Sequence, residues 1–342
     1  MSPIPDALHL LPSLRPSPTS RTTYILYFIP GNPGLISYYT TFLSHLLKLL
    51  TSTPTPPSIE IHGRSLSGFE VHPTTQRDGP YTVDQQIAHS EADVRRIVRD
   101  ARRQGEGKDV KVILMGHSLG TYMVLELVRR LRKDEDKEDG VIVAGGVCLF
   151  ATVMELAKSD SGVKARGVLS LPYFPLMVSI IAKLLFSFLP LGFLAWLIGT
   201  LMSFPPDGAR VTASFIQSRD GVRQALFMAN DEMTAISTDK WGEEVWGAMA
   251  VVGGKGESRS RLKFLFAEKD HWLSDKTRDE LIRLRGRKKV VGIMGKAETW
   301  KPEMYVDATE GWVHGFCIKQ SVSVAGKVKG WVEEIIADNV GR

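Results

Sequence analysis

Three side chains far apart in the chain could together activate a hydroxyl: Ser118 in Gly116-His117-Ser118-Leu119-Gly120, a carboxylate at Asp270 and an imidazole at His314. A serine hydroxyl is a poor nucleophile until a histidine accepts its proton. That histidine in turn needs a carboxylate to fix its tautomer and stabilise the imidazolium. What flanks Ser118 gives it weight. Val110-Lys111-Val112-Ile113-Leu114 reads as a buried strand, and Thr121 to Val128 continues in a helical pattern. A serine at such a strand-to-helix corner, with a glycine two residues away on each side, sits on a strained turn that exposes its oxygen. The glycines are needed because strand and helix approach too closely for side chains. The competing reading is an ordinary turn with Ser118 as a helix N-cap.

In this arrangement the parts follow one another as serine, acid, histidine. Asp270 comes just after the apolar run Leu262 to Ala267 and is the expected acid; Asp275, Asp307 and Glu155 are its competitors. Only His271 and His314 lie beyond Asp270. His271 is its direct neighbour and badly placed for a head-on contact, whereas His314 lies in the glycine-flanked Gly311-Trp312-Val313-His314-Gly315 loop. His117 is expected to pack beneath the site. The chemistry also requires donors for an oxyanion. One is the Leu119 N–H, next to the nucleophile. The other is expected from Asn32 in Pro30-Gly31-Asn32-Pro33-Gly34, since Pro33 has no N–H and Gly31 permits close approach. The alternative for this loop is a plain glycine-proline turn. Cys148 and Cys317 form no disulfide framework or metal-ligand spacing, and the chemistry requires no metal or organic cofactor.

The elements that must hold these residues alternate along the chain. Buried-type strands are expected at Thr22 to Ile29, Ser58 to His62, Val110 to Leu114, within Gly140 to Thr152, at Leu262 to Ala267 and around Val290 to Met294. Helices are expected at Tyr38 to Leu50, Asp84 to Arg103, after Ser118, at Lys276 to Arg285 and near Val322 to Ala337. Apolar strands alternating with amphipathic helices imply an α/β fold, a mostly parallel sheet with helices on both faces. Residues 155–261 break the rhythm with helix-like sequence and no clear strand. They divide the chain into an N-terminal core part (1–154), a helical cap (155–261) and a C-terminal core part (262–342).

Composition narrows the function class. The 342 residues are 43% hydrophobic and 24% charged, with a formal net charge of +5. The basic excess sits in short patches, such as Arg95, Arg96, Arg99, Arg102 and Arg103, interspersed with or followed by acids and without aromatic residues between them. That pattern is a solvated surface, not a nucleic-acid site, although it is compatible with an anionic lipid surface. Met1 to Pro18 lacks a basic segment followed by a long apolar run, so no secretory signal is expected, and the cysteine usage fits a reducing compartment.

With these pieces assembled, the chain resembles the lipid droplet-associated hydrolase family within the α/β-hydrolase superfamily. Ile29 to Gly34 followed by Tyr38, Tyr39 and Phe42, then Gln85-Gln86-Ile87-Ala88-His89, then Gly116 to Tyr122 and the apolar insertion carry the likeness. The resemblance implies an α/β-hydrolase fold with Ser118, Asp270 and His314 as triad. It also implies a location at lipid droplets and the cytosolic face of the endoplasmic reticulum membrane, and ester substrates such as sterol esters or acylglycerides. One departure is the longer stretch between Asp270 and His314, with Arg283 to Trp300 as extra sequence.

The insertion carries a second expectation. Residues 167–206 contain one charge, Lys183, and Leu184 to Pro206 contain none, a length able to cross about 30 Å of hydrocarbon. A single crossing would put Ser118 on one side of the membrane and both Asp270 and His314 on the other. A helix-break-helix entering one leaflet, broken near Pro190 and Gly192, avoids this conflict. Phe186, Phe188, Phe193 and Trp196 are the expected insertion residues. The alternative is a pair of buried cap helices lining an acyl-chain pocket. The expected function is a serine hydrolase of lipid esters whose partners are its substrate and a droplet monolayer or reticulum membrane. No protein partner is read from the sequence. A weakly active or non-catalytic droplet-binding protein is the alternative. Epoxide hydrolase or dehalogenase chemistry would need a carboxylate where Ser118 stands.

Overall fold

The computed structural model describes residues 4–12, 22–53, 56–71, 79–105, 109–135, 137, 140–247, 261–287 and 301–339. Seven strands form one sheet: β1 (Ala7–Leu10), β2 (Thr22–Ile29), β3 (Ser58–Arg64), β4 (Asp109–His117), β5 (Ile142–Leu149), β6 (Leu262–Phe266) and β7 (Glu303–Val306). Their spatial order is β1-β3-β2-β4-β5-β6-β7. β1 runs antiparallel to β3 and every other pairing is parallel.

Strand β2 explains why the sheet lies between two helical layers. Ile25, Tyr27 and Ile29 enter one apolar cluster, while Tyr24, Leu26 and Phe28 enter the other. This is the two-residue alternation of a strand buried on both faces. Helices α2 (Val83–Gln104) and α3 (Leu119–Arg132) contribute to the first cluster; α1 (Thr40–Thr51) and α12 (Ser321–Ala337) contribute to the second. Helix α2 starts where Thr82 and Gln85 cap one another's backbone N–H groups. On β5, a Cβ added to Gly145 would lie 2.6 Å from the Ile335 side chain, so glycine lets α12 sit directly on the strand.

Between β5 and β6 the chain is helical, with no strand among the described residues: α4 (Asp160–Leu169), α5 (Phe174–Phe186), α6 (Leu191–Met202), α7 (Pro206–Gln217), α8 (Gly221–Ala235) and α9 (Glu243–Trp246). The apolar stretch is broken where expected, with Pro190 just before α6. The Gln217 amide donates to the Phe186 and Leu189 carbonyls at 2.9 and 2.8 Å, supplying partners at the break. Among the described residues no single helix is long and apolar enough to cross a membrane, although the α4–α5 pair, bent by 90°, passes the same test jointly.

After β6 come α10 (Asp275–Arg285), β7 and α11 (Phe316–Lys319). Two strands were not anticipated from sequence. β1 has only four residues and lies in a proline-rich start, while β7 is a short, half-buried run rather than a fully apolar one. The strand expected around Val290 to Met294 falls outside the described residues.

Candidate active site

Ser118 stands between β4 and α3 with φ 52° and ψ −121°, a left-handed conformation that costs a non-glycine residue on the order of 1–3 kcal/mol. Hydrogen bonds hold it there. Its N–H donates to the Leu149 carbonyl at 3.0 Å, and its carbonyl accepts from the Thr121 N–H at 2.9 Å and from the Thr121 hydroxyl at 2.6 Å. The flanking glycines are sterically required. A Cβ on Gly116 would fall 2.3 Å from the Gly120 carbonyl oxygen, and one on Gly120 would fall 2.3 Å from the Ile29 carbonyl oxygen. Although Ser118 occupies the N-cap position, its side chain makes no capping bond. The hydroxyl is directed elsewhere.

Its partner is His314, in the loop after β7, whose Nε2 lies 2.9 Å from Ser118 Oγ. On the other side of the ring, His314 Nδ1 lies 2.7 Å from Asp270 Oδ2, in the loop after β6. The network fixes the neutral tautomer: Nδ1–H donates to the carboxylate, leaving Nε2 to accept the serine proton. The second Asp270 oxygen accepts the Trp272 N–H at 2.8 Å, fixing the carboxylate's orientation. Asp270 and His314 side chains are 7% and 17% exposed, enough for access by a reactant while most of the pair is withdrawn from water. The three expected residues are thus brought into one hydrogen-bonded row.

The competing acids are engaged elsewhere. Glu155 pairs with Lys158 and accepts from Thr277, and Asp275 pairs with Arg278. Asp307 is buried and accepts the Thr309, Glu310 and Trp312 N–H groups, so it folds the loop that presents His314. Burial pushes its carboxyl up, but the backbone donors, led by Glu310 and Trp312, outweigh this and hold it below its ordinary range. The His271 carbonyl accepts the Ser161 N–H at 3.0 Å.

His117 does more than pack beneath the site. Its Nε2–H donates to the His314 carbonyl at 2.8 Å, and its Nδ1 accepts the Tyr39 hydroxyl at 2.7 Å. The Tyr39 oxygen in turn accepts the Gly31 N–H at 3.2 Å. One chain of bonds therefore ties the Gly31 loop, the serine corner and the His314 loop together. Burial, reinforced by neighbouring His314, drives the His117 pKa well below its ordinary value, which keeps the ring neutral as this donor–acceptor role requires.

The Gly31 loop abuts the serine: a Cβ on Gly31 would lie 3.0 Å from Ser118 Cβ. Because Gly31 gives its N–H to Tyr39, Asn32 supplies the next N–H along this loop, while Leu119 opens helix α3 beside Ser118. The Asn32 side-chain amide donates to the Ala225 carbonyl and to Glu232 Oε1, both at 2.9 Å, linking the loop to α8. Burial raises the Glu232 carboxyl to about 8, with Asn32 opposing and Asp231 adding to the rise. These two linkages escaped sequence reasoning. Tyr39 lies 78 residues from His117, and Asn32 lies 200 residues from Glu232. No local pattern joins them.

Helices α5 and α6 and the turn between them hold apolar side chains outward. Phe188 is 83% exposed, Trp196 62% and Phe193 48%. Ile181, Leu184, Leu185 and Leu201 are exposed with them, whereas Phe186 is partly buried against the cluster that Leu194 and Ile198 form with α7.

The family described as lipid-droplet associated hydrolase matches residues 22–317. Lipid droplet-associated hydrolases similar to this chain include that of Gallus gallus, 24% identical over 91% of this chain and 85% of the relative. Another, from Drosophila melanogaster, is 28% identical over 62% of this chain and 66% of the relative. Among solved structures, a soluble variant of monoglyceride lipase from Saccharomyces cerevisiae, bound to a substrate analogue, is 13% identical with a TM-score of 0.51, covering 96% of this chain and 91% of that one. Juvenile hormone epoxide hydrolase from the silkworm Bombyx mori is 13% identical with a TM-score of 0.54, covering 97% and 73%. At such identities the structural likeness establishes the fold alone, an α/β-hydrolase fold. The chain belongs to the lipid-droplet associated hydrolase family.

Proposed function

We propose that this hydrolase is a serine esterase of lipid esters, in the sterol ester or acylglyceride class, acting at the surface of lipid droplets and the cytosolic face of the endoplasmic reticulum. One observation carries the chemistry: the unbroken row Ser118 Oγ, His314 Nε2, His314 Nδ1 and Asp270 Oδ2, with contacts of 2.9 and 2.7 Å. His314 takes the Ser118 proton as Oγ bonds to the ester carbonyl carbon. The oxyanion that forms is met by the Leu119 and Asn32 N–H groups. His314 then returns the proton to the alcohol oxygen as its bond to carbon breaks, leaving an acyl group on Ser118. Water, deprotonated by His314, attacks that carbonyl; His314 gives the proton back to Ser118 as the acid departs.

The substrate class draws support from the family and from the helices between β5 and β6. We assign residues 155–261 as a cap on a core of residues 1–154 and 262–342. In this reading the exposed apolar faces of α5 and α6 enter a phospholipid monolayer, while Gln217 and α7 hold their inner faces. The same surface favours a second role, droplet coating that does not depend on turnover. Hydrolysis of emulsified esters of graded acyl length and head group, native against Ser118→Ala, tests the enzyme reading. The expected loss in kcat is at least about a thousandfold. Equal rates from both proteins would refute it.

A further inference from the structure

At the sheet edge remote from Ser118, His9 on β1 and His62 on β3 face one another directly in the antiparallel register. Their rings stack with centroids 4.1 Å apart. Glu60, two residues before His62, projects from the same sheet face. Its Oε2 lies 2.9 Å from His9 Nε2 and 3.2 Å from His62 Nε2. The three donor atoms lie within 4.8 Å of one another. This set lines a groove of about 660 Å³ between the β1–β3 edge and helix α2. The side chains are 51%, 31% and 14% exposed for His9, Glu60 and His62, so an ion from solvent can reach them.

We propose that His9, Glu60 and His62 bind a divalent transition-metal ion of the zinc type. Two imidazoles and one carboxylate are the ligand chemistry of zinc, with bond lengths of roughly 2.0–2.2 Å. Tetrahedral ligands at those lengths are separated by about 3.3 Å, so the two Glu60 pairs at 2.9 and 3.2 Å need to open by only a few tenths of an ångström, while the stacked imidazoles must turn out of their stack so that both nitrogens point at one ion. Three protein ligands leave a fourth position facing the groove for water or another small ligand. The ion has a structural consequence. β1 is a four-residue edge strand and, among the described residues, the only antiparallel one in the sheet. A ligand from β1 and two from β3 would clamp that strand to its neighbour.

The test titrates chelator-treated, untagged full-length protein with Zn²⁺, following heat and thermal midpoint, and with Co²⁺, following its visible ligand-field bands. One saturable site, a raised midpoint and tetrahedral-type Co²⁺ bands are expected. Affinity should fall at least about tenfold in His9→Gln and in His62→Gln, since losing a direct ligand costs no less than losing an outer-shell partner. Both positions are far from Ser118, so hydrolysis of a water-soluble ester reports that the variants are folded. A site weaker than about 100 μM, or one that survives in the His9→Gln/His62→Gln double variant, overturns the proposal. In that event Glu60 serves only as a hydrogen-bond acceptor for two imidazoles.

Discussion

The Tyr39 hydroxyl accepts from Gly31 and donates to His117, and His117 donates to the carbonyl of the residue that faces Ser118. None of these groups has to touch substrate, yet together they set the distance between the Gly31 loop and His314. In Tyr39→Phe the buried Gly31 N–H loses its acceptor and His117 Nδ1 loses its donor, a change costing about 1–3 kcal/mol. We expect denaturant unfolding to register that loss. For a soluble ester, kcat should fall while KM changes little, because the variant loosens geometry rather than a binding contact. Unaltered kcat in a folded Tyr39→Phe protein would show that the linkage positions nothing.

At the scale of elements, α8 reaches the Gly31–Asn32 loop through Glu232 and Asn32. The Glu232 carboxyl is raised to about 8 from an ordinary value of 4.5, chiefly by burial. Between those values the folded chain keeps a proton that the unfolded chain has released. Its contribution to stability is therefore full below the unfolded value, declines by roughly 1.4 kcal/mol per pH unit, and is lost as pH rises through the folded value. Glu232→Gln keeps a neutral acceptor for Asn32 and removes this dependence. Denaturation at roughly pH 5 and pH 9 should show native protein losing on the order of a few kcal/mol relative to the variant at the higher pH. Parallel pH profiles would contradict the assignment.

The elements differ in how far they could be read in advance. β2, β4, β5 and β6 are runs of buried apolar residues, and β4 with α3 was recognisable from spacing around Ser118. β1 and β7 are four-residue strands whose existence depends on a neighbour's edge, which no short window encodes. The row of Ser118, His314 and Asp270 could be sought because chain order and strand ends restrict the choices. The Asn32–Glu232 contact could not, since neither residue belongs to a periodic pattern that points at the other.

For the whole molecule, the parallel strands deliver Ser118, Asp270 and His314 to one end of the sheet, while α5 and α6 present an apolar face to solvent. In the proposed reading that face enters the phospholipid monolayer over the oil. Replacing Ile181, Leu185, Phe188 and Trp196 together with Gln removes exposed apolar area without disturbing the Leu194–Ile198 contact with α7. Recruitment to triolein droplets coated with phosphatidylcholine should drop at least about tenfold, since a single well-buried side chain contributes about 1.5 kcal/mol or more. Hydrolysis of a water-soluble ester should stay within about twofold. Undiminished recruitment would place the lipid-binding surface elsewhere.

In the proposed chemistry one hydroxyl, Ser118, is activated by His314 held by Asp270. Covalent labelling of the folded protein by a fluorophosphonate, with the adduct mapped by peptide mass spectrometry, reads that activation at the serine itself. The expected result is a single adduct on Ser118, absent in Ser118→Ala and formed at least about a thousandfold more slowly in His314→Ala. Failure of folded native protein to label, or equal labelling of native and His314→Ala, would contradict it.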